Sequence, residues 1–265
     1  MNYKKELENR IKNREKRSLL DVNTKLQHFS LISYAVPIER IEKYIPEPFE
    51  LWTFTSNAKK FALISAVPFV DYDFSFYRLS KFPGFEFCQT NFRTYIIDKR
   101  NGQHAAWFFG TTLGSISVYI PRLIWKIPWQ YAKYKINTLH EGGRYTNYQI
   151  SFKSKLGDGL VHIKDTGKPL ELLQGFETMD EQMFILTHPV LGYYNRLNYG
   201  IGTYEIWHPK MNLTHCTVEN LYFELFEKLD LLSKEEMLNP HSVLITPEIE
   251  FDVLLPPRKL LTKHY

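Results

Sequence analysis

Two runs with strand alternation, FEFCQTNFRTYIID (85–98) and HAAWFFGTT (104–112), are separated only by KRNGQ. Runs joined this tightly fold back on each other as a β-hairpin, and Asn101-Gly102 supplies the two positive φ angles of a type I′ turn. Side chains alternate along a strand. Phe85, Phe87, Gln89, Asn91, Arg93, Tyr95 and Ile97 therefore share one face, and Glu86, Cys88, Thr90, Phe92, Thr94 and Ile96 the other. With a two-residue turn, Arg93 faces Gly110, Asn91 faces Thr112 and Tyr95 faces Phe108. The first face then holds three polar groups between aromatics, with empty volume beside the arginine. Facing solvent, it would expose Phe85, Phe87, Tyr95 and Ile97. Inside a closed sheet it would line a cavity with apolar walls and a few convergent polar groups, the usual composition of a small-molecule site.

The remaining pattern is consistent with such a sheet. Strands are predicted at 25–36, 60–70, 200–207 and 248–255, with a further pair on either side of Asp158-Gly159. Pro37 opens a short helix that Pro46 and Pro48 end. Val218, Leu221, Tyr222, Leu225, Leu229 and Leu232 repeat at helical spacing, so a helix is predicted over 218–232. Ser233 and Glu236 have capping-box spacing, and a helical segment near 178–195 is interrupted by Pro189 and Gly192. The expected fold is α+β: a mainly antiparallel, closed or strongly curled β-sheet with a few outer helices.

Composition bears on partners. Residues 1–17 contain seven Lys or Arg and three Asp or Glu, which accounts for the whole net charge of +4. The rest of the chain is electrically balanced, so a basic nucleic-acid surface is not supported. The basic segment, 1–20, reads as a helix outside a single domain over 21–265. Its stripe of Tyr3, Leu7 and Ile11 is narrow. A solvated helix resting on the domain edge, dispensable for folding, is favoured over a docking arm. No apolar run is long enough to cross a membrane and no secretion signal precedes the domain, so a cytoplasmic location is expected.

Several chemistries lose their support. The sequence contains no GxxxxGK[ST], GxGxxG, GxSxG or HExxH. Cys88 and Cys216 form no CxxC pair. His208, His215 and Cys216 come closest to a metal grouping, yet fit no standard ligand spacing. Neither a metal nor a cofactor is expected.

QTNFRTYIID followed by AAWFFGTTLGS resembles a segment of the YqjF-like proteins, an uncharacterised bacterial family. SYAVPIERIEKYIPEPFEL, IPWQYAKYKI, MFILTHPVLGYY and EIWHPKMNL resemble further segments of it in the same order, so the likeness covers most of 25–255. The resemblance implies the fold of acetoacetate decarboxylase, a double-layered closed β-sheet with a pocket inside. In the decarboxylase a lysine forms a Schiff base, and a second lysine keeps it uncharged. Here Trp129 and Gln130 follow Pro128 where the two lysines would stand, and Gln89 takes the place of a glutamate. Lys126 lies before that proline, and Lys133 and Lys135 lie beyond it.

Decarboxylation through an imine is therefore not expected, because fold does not carry reaction. Three readings follow. In the first, the chain is an enzyme acting on a small carboxylate or carbonyl compound without a Schiff base. Arg93 holds an oxygen that Gln89 and Asn91 orient, with Tyr95, Tyr131, His104 or Lys133 as acid–base groups. In the second, the same site, with Trp107, Trp129, Gln130 and Tyr131, binds a ligand without catalysis. In the third, the domain is an interaction module docked by its basic N-terminus. A small, anionic molecule is the expected partner, and self-association is left open. A strongly perturbed acid or base in the cavity would favour the enzyme.

Overall fold

The longest apolar runs become the longest strands. β1 (Val22–Pro37), β4 (Lys59–Phe76), β5 (Phe85–Asp98) and β13 (Ser242–Lys259) span 14 to 18 residues each. The computed structural model describes residues 1–14, 18, 20–77 and 84–260. Nine shorter strands complete one sheet: β2 (Phe49–Leu51), β3 (Thr53–Ser56), β6 (Gln103–Leu113), β7 (Gln130–Glu141), β8 (Arg144–Ser154), β9 (Gly159–Pro169), β10 (Leu191–Asn195), β11 (Ile201–Trp207) and β12 (Thr214–Phe223).

Hydrogen-bonded neighbours close this sheet twice. One circuit runs β6-β7-β8-β9-β12-β13-β1-β4-β5 and back to β6. The other runs β6-β10-β11-β13-β1-β4-β5 and back to β6. The long strands and β6 are the wall common to both, so along their central stretches alternate side chains point into one interior or the other, while Lys25, Tyr72, Phe85, Glu86 and Glu248 are exposed. The first interior is apolar, with Ile32, Tyr34, Ile64, Phe92, Phe152 and Phe223 in one cluster. The second is packed by Leu31, Phe69, Tyr95, Leu244 and Ile249, together with α4 (Met179–Leu186). Burying each such side chain contributes about 1.5–3 kcal/mol. This is the curled, mainly antiparallel sheet that the sequence predicts, with β6–β7 and β6–β10 as parallel exceptions.

Two local expectations are corrected. The β5–β6 connection is a four-residue turn, Lys99–Gly102, rather than a two-residue type I′ turn: Asp98 pairs with Gln103, and only Gly102 has a positive φ (+70°). Asp98 causes this. Its carboxylate accepts from the Arg100 backbone N–H (3.0 Å) and from both ends of the Arg100 fork (2.8 and 2.5 Å), closing the turn two residues earlier. Second, 214–223 is a strand, followed by a short helix, α5 (Glu224–Lys228). A bulge between Val218 and Asn220 lets both Val218 and Leu221 reach the first interior. That bulge produces the three-residue spacing that resembles a helix. Pro37 precedes the short α2 (Ile38–Ile41) as predicted, and the capping box at Ser233 forms and opens α6 (Lys234–Met237).

The N-terminal helix, α1 (Tyr3–Lys12), packs more closely than its narrow stripe suggests. Leu7 is 3% exposed, and Tyr3 and Ile11 lie against the same cluster. Arg10 stacks over Phe184 of α4 at 3.9 Å and donates to the carbonyls of His188 and His104. Burial pulls its pKa down to about 10. Arg14 bonds Asp252 (2.7 Å) and Glu250 (2.5 Å) and lies over Trp207. Two of the excess cations thus act as packing groups, and the helix is not an appendage. Leu7→Ala should cost about 2–4 kcal/mol and lower the thermal midpoint by roughly 5–10 °C. A midpoint within 2 °C (about the size of a surface effect) would restore the view of a dispensable helix.

Candidate functional site

The second interior contains the polar face of β5. Gln89 and Asn91 are buried, and Gln89 Nε2 donates to Asn91 Oδ1 (2.9 Å), which also accepts from Thr111 on β6 (3.0 Å). Tyr95 reaches the Ser65 hydroxyl on β4 (2.9 Å), which in turn meets Ser33 on β1 (2.8 Å). Every member of that line is buried.

Arg93 sits between these groups, with Ser65 beside it on β4 and Phe108 on β6. Its Nη2 donates to the carbonyl of Leu186 at the end of α4 (2.8 Å), and its guanidinium lies 5.5 Å from the Tyr95 ring. Its Nε is buried without a hydrogen-bond partner. Among the described residues Arg93 makes no ion pair. Arg93 is half-buried, and a buried guanidinium N–H left without an acceptor is costly.

Three further groups share this interior. Asp71 lies on the same face of β4, at 5% exposure, and its Oδ1 accepts one long hydrogen bond from Thr24 (3.3 Å). Burial pushes its pKa up to about 8, with Thr24 acting slightly the other way. It makes no ion pair among the described residues. Tyr204 of β11 stacks on Phe108 (5.7 Å), and its hydroxyl is within electrostatic reach of both Arg93 and Asp71, though burial is what chiefly raises its pKa. His208 places both ring nitrogens against carbonyls, of Pro209 (2.8 Å) and Thr187 (2.7 Å). Burial nevertheless holds its pKa down to about 4, and Arg93 pushes the same way.

The structure therefore brings Gln89, Asn91, Arg93 and Tyr95 together and places the other predicted site residues elsewhere. Gly110 pairs with Phe92, not Arg93: the four-residue turn sets Arg93 against Phe108, and a bulge beyond it brings Gly110 opposite Phe92. The space beside that glycine is filled by Leu156. Trp107 pairs with Thr94 and packs with Phe49 and Tyr193, on the sheet face opposite Arg93. Trp129 packs with Phe87, Leu113 and Val118 where the polar face ends. Gln130 and Tyr131 enter β7 opposite Thr112 and Leu113, Tyr131 being exposed. His104 lies under α1, its pKa held near 4 by burial first and Arg10 second. Lys133 is exposed, as is every other described lysine except the half-buried Lys126. His208, His215 and Cys216 diverge: His215 accepts from the Glu171 N–H, and Cys216 packs on the first interior. Sequence reading missed Asp71, Tyr204 and Ser65, which reach the site from other strands; Asp71, an acid inside an apolar strand run, is the one with a local signal.

A family model describing uncharacterized conserved proteins, DUF2071, matches residues 23–250. The chain belongs to the DUF2071 family. No curated protein matches it. Among solved structures, acetoacetate decarboxylase from Legionella pneumophila is 12% identical with a TM-score of 0.55, over 96% of this chain and 94% of that one. The enduracididine biosynthesis enzyme MppR complexed with pyruvate is 10% identical with a TM-score of 0.56, over 93% and 91%. An acetoacetate decarboxylase-like enzyme from Sphingomonas wittichii RW1 is 7% identical with a TM-score of 0.56, over 92% and 95%. At these identities the likeness establishes the fold: this DUF2071 member has the acetoacetate decarboxylase-like architecture.

Asp71 offers a direct check of the interior's polarity. Its pKa is raised in the folded state, so the proton stabilises the fold below the unfolded carboxylate range, and that stability is lost as pH rises toward 8. Between about pH 4 and 8 the wild type should lose about 1.4 kcal/mol per pH unit relative to Asp71→Asn, which carries no titrating group. Denaturant midpoints of both proteins across that range measure it. Parallel pH profiles would mean that Asp71 titrates normally.

Proposed function

We propose that this DUF2071 protein is an enzyme acting on a small carboxylate or carbonyl compound, bound in the second interior and processed without a Schiff base. Arg93 would hold a carboxylate or enolate oxygen through the planar fork that its Nε leaves incomplete. Gln89 and Asn91 would orient the ligand, and Asp71 would be the group able to give or take a proton near neutral pH. The observation that carries the reading is the buried Arg93 Nε, unpartnered and without a protein carboxylate. A small anion supplies both the missing acceptor and the missing charge. A surface cavity of about 200 Å³ is lined in part by Asp21, Thr203, Tyr204 and Arg258.

The lysine placement supports the absence of imine chemistry. An amine nucleophile must be uncharged near neutral pH, which takes burial or an adjacent cation, and no described lysine is buried. Trp129 and Gln130 stand where the resemblance would put the lysine pair. The pyruvate named for the bound MppR structure is a ligand of the proposed class. The docking-module alternative loses ground because Arg10 and Arg14 are engaged inward.

Calorimetric titration with pyruvate and acetoacetate tests the reading. Arg93→Met should weaken binding by roughly 10- to 100-fold, the worth of a hydrogen bond to a charged group, and Arg93→Lys should restore part of it. Equal affinity in wild type and Arg93→Met, or no binding of any small carboxylate to either, would end this assignment. Borohydride added with either keto acid should leave the intact mass unchanged. A stoichiometric adduct on a lysine would replace the proposed chemistry with an imine.

A further inference from the structure

We propose that the helix between β6 and β7, with the loop beside it, is a docking surface for an anionic lipid bilayer. That helix, α3 (Tyr119–Trp125), has the sequence YIPRLIW and buries none of its residues. The segment is held in place at its ends, where Val118 and Ile127 are buried. Between them Ile116, Tyr119, Ile120, Leu123 and Ile124 are 54–76% exposed. The 195–200 loop is tied alongside by the Leu197 N–H, which donates to the Lys126 carbonyl (2.9 Å), and it adds the exposed Leu197 and Tyr199. A groove of about 480 Å³ lined by Tyr119, Leu123, Lys126 and Leu197 joins the two segments. The apolar side chains therefore form one contiguous patch rather than scattered exposures. Soluble surfaces rarely leave such a patch uncovered.

Charge selects the occupant. Residues 116–126 and 195–200 contain Arg122, Lys126 and Arg196 and no Asp or Glu. Exposed Leu, Ile and Tyr flanked only by cations match a surface that sinks shallowly into anionic headgroups. Among the described residues no helix is long and apolar enough to cross a membrane, so the contact is peripheral. A second copy fits less well. A two-fold contact would set the same three cations against one another, with no acid in the patch to meet them.

The test mixes the full chain with vesicles of phosphatidylcholine alone or with added phosphatidylglycerol and measures co-sedimentation. Binding should require the anionic lipid and weaken as salt is raised. Lys126→Gln and Arg196→Gln should each reduce it by roughly fivefold, and Leu123→Asp with Ile124→Asp should reduce it at least tenfold. These side chains lie outside the buried clusters, so an unchanged thermal midpoint serves as the folding control. Arg122 is left intact because it bonds the Trp129 carbonyl. Three outcomes would overturn the proposal: no binding to anionic vesicles, vesicle binding by the double aspartate variant equal to wild type, or a dimer in light scattering that Leu123→Asp separates.

Discussion

The architecture depends on a wall whose middle has core on both faces. Because β13, β1, β4, β5 and β6 belong to both closed circuits, the side chains of their central stretches divide between two interiors. Alternation, which on an ordinary antiparallel sheet separates core from water, here separates one core from another. β5 illustrates the consequence: Phe92 enters the apolar cluster of the first circuit, while Gln89, Asn91, Arg93 and Tyr95 enter the second. A polar residue in that middle stretch has no direct path to solvent. It must find partners inside, as Ser33, Ser65 and Tyr95 do, or remain unsatisfied, as Arg93 Nε does.

This constraint explains which features were legible in the sequence. The odd face of β5 could be read because alternation is local, and its polar residues lie two apart. The pairing partner could not, because Asp98 closes the turn around Arg100 and a bulge follows at Phe92. The turn moves Gly110 off the arginine, and the bulge sets it opposite Phe92. β12 was hidden for a related reason: its bulge converts a two-residue period into one of three, and the apolar count alone cannot separate that from a helix turn. The site's other half was illegible in principle. Tyr204 is 111 residues from Arg93 in the chain, and only the closure of β11 onto β13 brings it across.

The N-terminal segment shows how a charge surplus can mislead. Clustered cations suggest an outward-facing arm. Arg10 and Arg14 instead spread their guanidinium planes over Phe184 and Trp207, and direct their donors to carbonyls and carboxylates of the sheet. The geometry uses the planar, weakly hydrated fork of arginine, which lysine lacks. The exposed lysines of α1 keep the segment basic while its arginines fasten it. Its covering of His104 and His188 places it over the α4 end of the second interior.

On the proposed reading, the low-dielectric interior beside Arg93 also decides which groups carry a proton at neutral pH. In the free protein burial first, and Arg93 in the same direction, hold His208 below its ordinary range. Asp71 stays above the ordinary carboxylate range despite sharing that interior, because burial outweighs its single hydrogen bond. A ligand carboxylate paired with Arg93 would offset its charge, and Asp71, kept protonated at neutral pH by burial, would be the group able to hand a proton to the bound molecule. A lysine nucleophile needs the opposite arrangement, a second cation to keep it uncharged. On the proposed reading, an interior that holds Arg93 and the buried Asp71, with no buried lysine among the described residues, suits proton transfer beside a bound anion better than imine formation.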